Sequence, residues 1–348
     1  MGSTDLRVTM LEADICQPLA SSVATALEGA QAGGFPGFYE VPSVDDPCPQ
    51  YYRVSPKHLR SFAVADYEPT TDEFGHHYTS AQAKGTFFPE SPRRRDIITC
   101  TTFEAFGLAD YETLDTGILS YELRAAGLPT EDILYTARLQ EGIIGGQVVP
   151  IDTYKEQLIE QCDLDDPGLK DRFVAWVEDV EFFGVARRTE TAARLDDFDN
   201  RYPDHVNYTF LKEMVDFQNM IAGQYGEVAV EIDDPEAVAR LLFEALPERI
   251  GQASAILHAS GRAHFNLHSG NWKISGMFLD LDTVKPASEV SIAYEKGKLL
   301  HRIPRRIEHI GQIIAAFGAV DGVPERELIR SHLEAGMARV NEPLYPLL

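Results

Sequence analysis

The sequence predicts an α+β fold in two lobes, a mixed strand-and-helix lobe over residues 1–188 and a mainly helical lobe over residues 189–348. Short apolar runs of strand length, bounded by turn residues, are confined largely to the first part. The second part carries apolar residues at three- and four-residue spacing over long stretches. A chain of 348 residues also exceeds what one small core organises.

The elements follow in order. Residues 1–80 offer mainly loop chemistry, as in Gly33-Gly34-Phe35-Pro36-Gly37, with some strand character from Tyr51 to Asp66. A strand over residues 78–84 ends near Lys84. A helix covers about Asp115 to Ala126, with Leu114, Ile118, Tyr121, Glu122 and Ala125 on one side. Gly127 stops it and Pro129 prevents continuation. Strands follow at Ile133–Leu139 and Gln147–Ile151, separated by a turn at Gly142–Gly146. A helical stretch over 153–178 breaks at Asp165-Asp166-Pro167-Gly168, and Val180–Ala186 has strand length. Beyond the seam near residue 188, helices are expected over 204–223, 234–245, 247–260, 305–318 and 324–340.

Composition narrows the function. The formal net charge of -24 repels phosphate backbones, so nucleic acid is not an expected partner. Arg93-Arg94-Arg95 is a local exception, either a solvated loop or a contact for a phosphate or acidic substrate. No apolar run approaches the roughly 20 residues that span a bilayer, and the first residues lack a secretory pattern. Cys16, Cys48, Cys100 and Cys162 are widely spaced, which fits reduced thiols better than a zinc site or a disulfide framework. A cytoplasmic protein with no membrane partner is the expectation.

The chemistry-bearing segment is His264-Phe265-Asn266-Leu267-His268-Ser269-Gly270-Asn271, followed by Trp272–Ile274, Ser275-Gly276 and Met277–Asp282. Ser-Gly between two apolar runs reads as a tight hairpin turn. Trp272, Ile274, Met277, Leu279 and Leu281 can then face the core, with Phe278, Asp280 and Asp282 on the other face. Closing the hairpin brings Asn271 close to Asp280. An amide oxygen and a carboxylate are hard ligands suited to Mg²⁺, which screens phosphate charge during transfer. Asp282 is either a further metal ligand or a loop cap. His268 is either a base titrating near neutral pH or a packing residue. Asn266 cannot take a proton as Asp does, but its amide can orient a nucleophile.

These residues resemble the protein-kinase-like superfamily. Aminoglycoside-type phosphotransferases carry H-x-D-L-H-x-G-N where this chain has H-F-N-L-H-S-G-N, and a later acidic metal motif is matched by Asp280-Leu281-Asp282. The nine-residue step from Asn271 to Asp280 is similar to that of the SelO (selenoprotein O) protein adenylyltransferases, as is H-S-G-N-W-K-I-S-G-M-F-L-D-L-D. Gln82-Ala83-Lys84-Gly85-Thr86 and the stretch Tyr121–Thr130 resemble two further motifs of that family. The resemblance implies a two-lobed kinase-like fold, ATP and Mg²⁺ as ligands, and a Lys84–Glu122 ion pair with Lys84 on the phosphates. It implies a loop-supporting role for His264, a strand leading to the interlobe hinge at Val185-Ala186-Arg187, and a phosphate contact at Arg194. Surface salt bridging is the plainer reading of Arg187, Arg188 and Arg194. Gly270 stands where SelO proteins have their proposed base, and Asn266 where phosphotransferases have theirs. AMP transfer, phosphoryl transfer to a protein or small-molecule acceptor, and a nucleotide-binding pseudokinase acting through a partner all remain open.

Overall fold

The computed structural model describes residues 8–11, 61–63, 68–85, 108–139, 141–144, 147–160, 166–179, 182–225, 228–342 and 344. The four cysteines and Arg93-Arg94-Arg95 lie outside them. The fold is mixed α+β, with the strands concentrated before residue 190 and long helices after it.

A six-stranded antiparallel sheet forms the first part. Its long strands are β5 (Ser80–Gly85), β7 (Asp132–Leu139) and β10 (Phe182–Thr189). Strand β10 is central, paired with β7 on one side and β5 on the other. The strands β1 (Val8–Leu11) and β2 (Ser61–Ala63) flank them, and β6 (Leu108–Ala109) pairs with the start of β10. Helix α1 (Asp110–Ala125) connects β6 to β7. The register of β10 against β7 slips between Ala186 and Arg187, leaving Leu134 as an extra residue. A bulge of this kind bends a strand and re-aims its side chains.

The expected face of α1 is inverted. Ile118, Tyr121, Glu122 and Ala125 are exposed, whereas Ser120, Leu123 and Arg124 are buried. The cause is electrostatic. Arg124 lies 2.6 Å from Asp72 and 2.7 Å from Asp132, and Arg188 lies 2.6 Å from Asp132. Two guanidinium groups and two carboxylates thus neutralise one another away from water, which burial of charge requires. Tyr78 donates to Asp72 and stacks against Arg188. This network ties α1 to the hairpin of β3 (Thr70–Thr71) and β4 (His77–Tyr78) and to the starts of β7 and the end of β10.

Between β7 and β10 the chain makes a small hairpin, β8 (Glu141–Ile144) with β9 (Gln147–Pro150), then helices α2 (Ile151–Glu160) and α3 (Pro167–Asp179). The break expected near Pro167 is present.

The helical part comprises α4 (Asp204–Tyr225), α5 (Pro235–Arg240), α6 (Leu246–Ala259), α7 (Glu289–Ala316) and α8 (Arg326–Ala338). The break expected between residues 245 and 247 is instead a π-helical turn, Leu241–Ala245, inside one continuous rod. A wide turn relieves the clash Pro247 would make with the preceding turn. Helix α7 starts 16 residues before the expected position and runs through Pro304. Strands β11 (Arg262–Ala263) and β12 (Lys285–Pro286) bracket the candidate loop. Among the described residues, no helix is long and apolar enough to cross a membrane.

Helices α6 and α8 touch backbone to backbone. A Cβ at Gly336 would come within 1.9 Å of the Glu248 carbonyl oxygen, and one at Gly251 within 2.1 Å of that of Leu333. Overpacking of this kind typically costs about 1–3 kcal/mol. Gly336→Ala is therefore expected to lower the unfolding free energy by that amount or more, and with it the urea midpoint measured by circular dichroism. An unchanged midpoint would show that the two helices do not meet at Gly336.

Candidate functional site

The site is built around a closed hairpin. Lys273 N–H donates to the Met277 carbonyl at 2.8 Å, and Gly276 takes a φ of 85° at the turn. Leu279 N–H donates to the Asn271 carbonyl at 2.9 Å, so the two feet of the hairpin meet. Asn271 and Asp280 are thereby brought together in the backbone, as expected from the Ser275-Gly276 turn. Trp272, Ile274, Met277, Leu279 and Leu281 are buried. Phe278, expected on the outer face, is buried too: its ring meets Trp272 and His264 edge-on, at 5.8 Å in each case.

Asp280 sits at φ 60°, in the left-handed region that Asp and Asn tolerate best among non-glycine residues. Its carboxylate lies 3.4 Å from Arg187 Nη1. The same nitrogen pairs with Glu131, whose other oxygen accepts the Leu281 N–H at 3.1 Å. Arg187 and Glu131 are both buried, which excludes a surface salt bridge at Arg187. Arg188 is likewise interior, bonded to Asp132 at 2.6 Å. The two acids raise the affinity of Arg187 for its proton against the opposing effect of burial. Its Nε and Nη2 have no hydrogen-bond partner among the described residues.

Asn271 is buried, and its Nδ2 donates to the Asn266 carbonyl at 3.0 Å, which leaves Oδ1 as the ligand end of the amide. Asn266 itself is exposed. The backbone between His264 and Asn266 turns sharply, with Asn266 N–H donating to the His264 carbonyl and Phe265 at φ 54°. That is a strained conformation for an aromatic residue and needs external support.

Glu295 on α7 supplies the support. Its carboxylate accepts the N–H groups of His264 at 3.1 Å and Phe265 at 2.7 Å, and His258 Nε2 at 2.9 Å. Burial alone would raise its pKa, but these donors hold it below the ordinary value. His264 is buried, with Nε2 donating to the Leu279 carbonyl and Nδ1 at 2.8 Å from the Thr283 hydroxyl. It ties the loop to the second foot of the hairpin.

His268 Nδ1 accepts the Gly270 N–H at 3.0 Å. The neutral ring then carries its proton on Nε2 and presents a donor there, not a base. Burial lowers its pKa against the fields of Asp196 and Asp280, which favours that neutral form. Arg194 Nη1 donates to the Gly270 carbonyl at 2.9 Å, so it braces the loop from outside. Asp282 lies in a 3₁₀ turn, Leu281–Thr283, and its side chain is outside the described residues.

Lys84 stands opposite Val185 in the sheet, and Gln82 opposite Arg187. Its side chain, and with it the Lys84–Glu122 pair, is outside the described residues. The described partner of Glu122 is Arg262, at 3.0 Å on the surface.

Sequence reasoning missed Glu131, Asp196, Lys273 and Glu295. Lys273 is wholly buried, donates to the Ala192 carbonyl at 2.5 Å, and has its pKa pushed well down, first by burial and then by Arg194 and Arg187. It clamps the segment after β10 to the hairpin, and Glu213 on α4 holds the same segment by accepting the Ala192 and Ala193 N–H groups. Among the described residues, no three or more His, Cys, Asp or Glu side chains form a metal cluster. A magnesium site needs only one or two protein ligands when phosphates complete it.

Comparison with known protein families and with curated proteins gives no match for this chain.

Asp197 caps the 3₁₀ turn Leu195–Asp197 by accepting the Arg194 N–H at 2.7 Å, and burial raises its pKa to about 6. A carboxyl group with a raised folded-state pKa stabilises below its unfolded value near 4 and loses that contribution as pH rises through about 6. Asp197→Asn removes the titration. Its urea midpoint, relative to the wild type, is expected to rise from pH 4 to pH 7; a constant difference would contradict the shift.

Proposed function

We propose that the chain is a Mg-ATP-dependent transferase of kinase-like, two-lobed fold, which moves AMP or a phosphoryl group to a hydroxyl or carboxylate of a protein or small-molecule acceptor. The observation that carries this reading is the meeting of Asn271 and Asp280 at the feet of one hairpin, with the Arg187 guanidinium beside Asp280. Glu131, Arg187 and Asp280 together leave one negative charge, which suits a divalent cation.

Asn271 Oδ1 and Asp280 would hold Mg²⁺, with Asp282 as a further candidate. Bound there, the ion would neutralise charge on the phosphates. Lys84, on the strand next to β10, is the cationic candidate for the phosphates, whereas Arg187 is enclosed by Glu131 and Asp280 with its remaining donors buried, and so would act by holding Asp280. Glu122 remains its candidate partner by resemblance alone. Arg194 acts on the loop through the Gly270 carbonyl and so positions Asn271. Catalysis by positioning and charge neutralisation tolerates a weak base. The pseudokinase alternative rests on Asn266 and Gly270 together, an amide where phosphotransferases carry a carboxylate and a glycine where SelO proteins carry their proposed base.

ATP labelled at the α- or γ-phosphate, incubated with Mg²⁺, the protein and cell extract, separates the chemistries. Retained α-label means adenylylation, and retained γ-label means phosphorylation. A thermal shift by Mg-ATP without transfer means a pseudokinase, and no shift refutes the nucleotide reading. Asp280→Asn keeps a residue that tolerates the left-handed backbone. It is expected to fold normally and to raise the ATP concentration needed for the Mg-dependent thermal shift at least about tenfold, the equivalent of about 1.4 kcal/mol. An unchanged response would remove Asp280 from the site.

A further inference from the structure

The loop lacks a proton acceptor of its own. Asn266 presents an amide, Gly270 has no side chain, and the hydrogen bond to the Gly270 N–H leaves His268 with a donor at Nε2. A carboxylate from elsewhere in the chain fills this gap. A Cβ built at Gly270 would meet Asp196 Oδ2 at 2.9 Å, His268 Cε1 at 2.8 Å and His268 Nδ1 at 3.0 Å. Asp196 therefore brings its carboxylate to the position that a side chain of residue 270 would otherwise occupy, beside the candidate metal ligand Asn271.

Its placement is built. The turn Leu195–Asp197 lies against the turn Ser269–Asn271, joined by Arg194 Nη1 to the Gly270 carbonyl at 2.9 Å and Leu195 N–H to the Trp272 carbonyl at 2.9 Å. From the other side, Arg306 on α7 donates to the Leu195 carbonyl at 2.8 and 2.6 Å and to the Phe198 carbonyl at 2.5 Å. Arg306 Nε also lies 3.4 Å from Asp196 Oδ1. One carboxylate oxygen thus faces the anchoring arginine and the other faces the loop. The side chain is 47% exposed, so an acceptor can reach it.

We propose that Asp196 is the general base of the transfer reaction, an inference that rests on the Mg-ATP reading of the same site. As the acceptor hydroxyl oxygen bonds to phosphorus, Asp196 Oδ2 takes the hydroxyl proton. The bond from phosphorus to the leaving oxygen breaks, and its electron pair departs with pyrophosphate or with ADP, according to the phosphate attacked. The acceptor is identified only as an alcohol.

The test compares wild type, Asp196→Asn and Asp196→Ala. Each is assayed for its thermal shift with Mg-ATP and for label transfer from ATP in cell extract, counted in acid-precipitable and acid-soluble fractions to separate protein from small-molecule acceptors. General bases typically contribute about 10²- to 10⁴-fold. Asp196→Asn should lose transfer by that factor while keeping the wild-type thermal shift. Added formate should restore transfer to Asp196→Ala, where there is room for it, and not to Asp196→Asn. Wild-type transfer in Asp196→Asn, a lost thermal shift in that variant, or no rescue by formate would each overturn the role of Asp196 while leaving the ATP reading intact. A wild type that binds Mg-ATP without transfer would overturn it as well, and one that shows no thermal shift would overturn both.

Discussion

A single buried guanidinium holds the site to the sheet. Arg187 lies near the end of the central strand, without water to solvate it, so its charge has to be met by protein. Glu131, just before β7, meets it and also accepts the Leu281 N–H, while Asp280 faces the same nitrogen. One cation therefore gathers the end of β10, the start of β7 and the second foot of the hairpin. The bulge at Ala186/Arg187 lies at this point in the register. Removing Arg187 would leave two carboxylates without their shared counter-charge, so the position of both acids depends on it.

The loop at the first foot depends on a different device. The backbone at Phe265 is strained, and the strain persists because Glu295 accepts the N–H groups on both sides of the peptide link while His264 bonds to the far foot. Helix α7 thus supports the site twice, through Glu295 on the loop and through Arg306 on the turn that carries Asp196. Functional loops held in uncommon conformations need a rigid scaffold of this kind. Here the scaffold consists of charged groups near one long helix rather than apolar packing alone.

Much of this was legible in the chain, for physical reasons that also explain the failures. The hairpin was readable because Ser275-Gly276 interrupts two apolar runs, and the closure of its feet follows from strand geometry. The strands β5, β7 and β10 fell near their expected places. The inward face of α1 was not readable, because Arg124 looks like a surface residue until Asp72 and Asp132 are known to surround it. Helix boundaries were expected at residues 245–247 and at 305, yet a π turn before Pro247 keeps the first rod continuous and α7 runs through Pro304, packed at Ile303 and Ile307. Glu131, Glu295 and Asp196 carried no local signal. Each sits among other acids or on a polar helix surface, and its partner is distant in sequence: Arg187, the His264 backbone and Gly270 respectively.

The central claim is that a divalent cation is held between Asn271 and Asp280 beneath a triphosphate. Paramagnetic broadening tests it most directly. With Mn²⁺ replacing Mg²⁺ and ATP present, amide resonances of residues 268–271 and 279–281 should broaden first, and their neighbours Arg187 and Glu131 next. Broadening centred elsewhere, or none that depends on ATP, would contradict it.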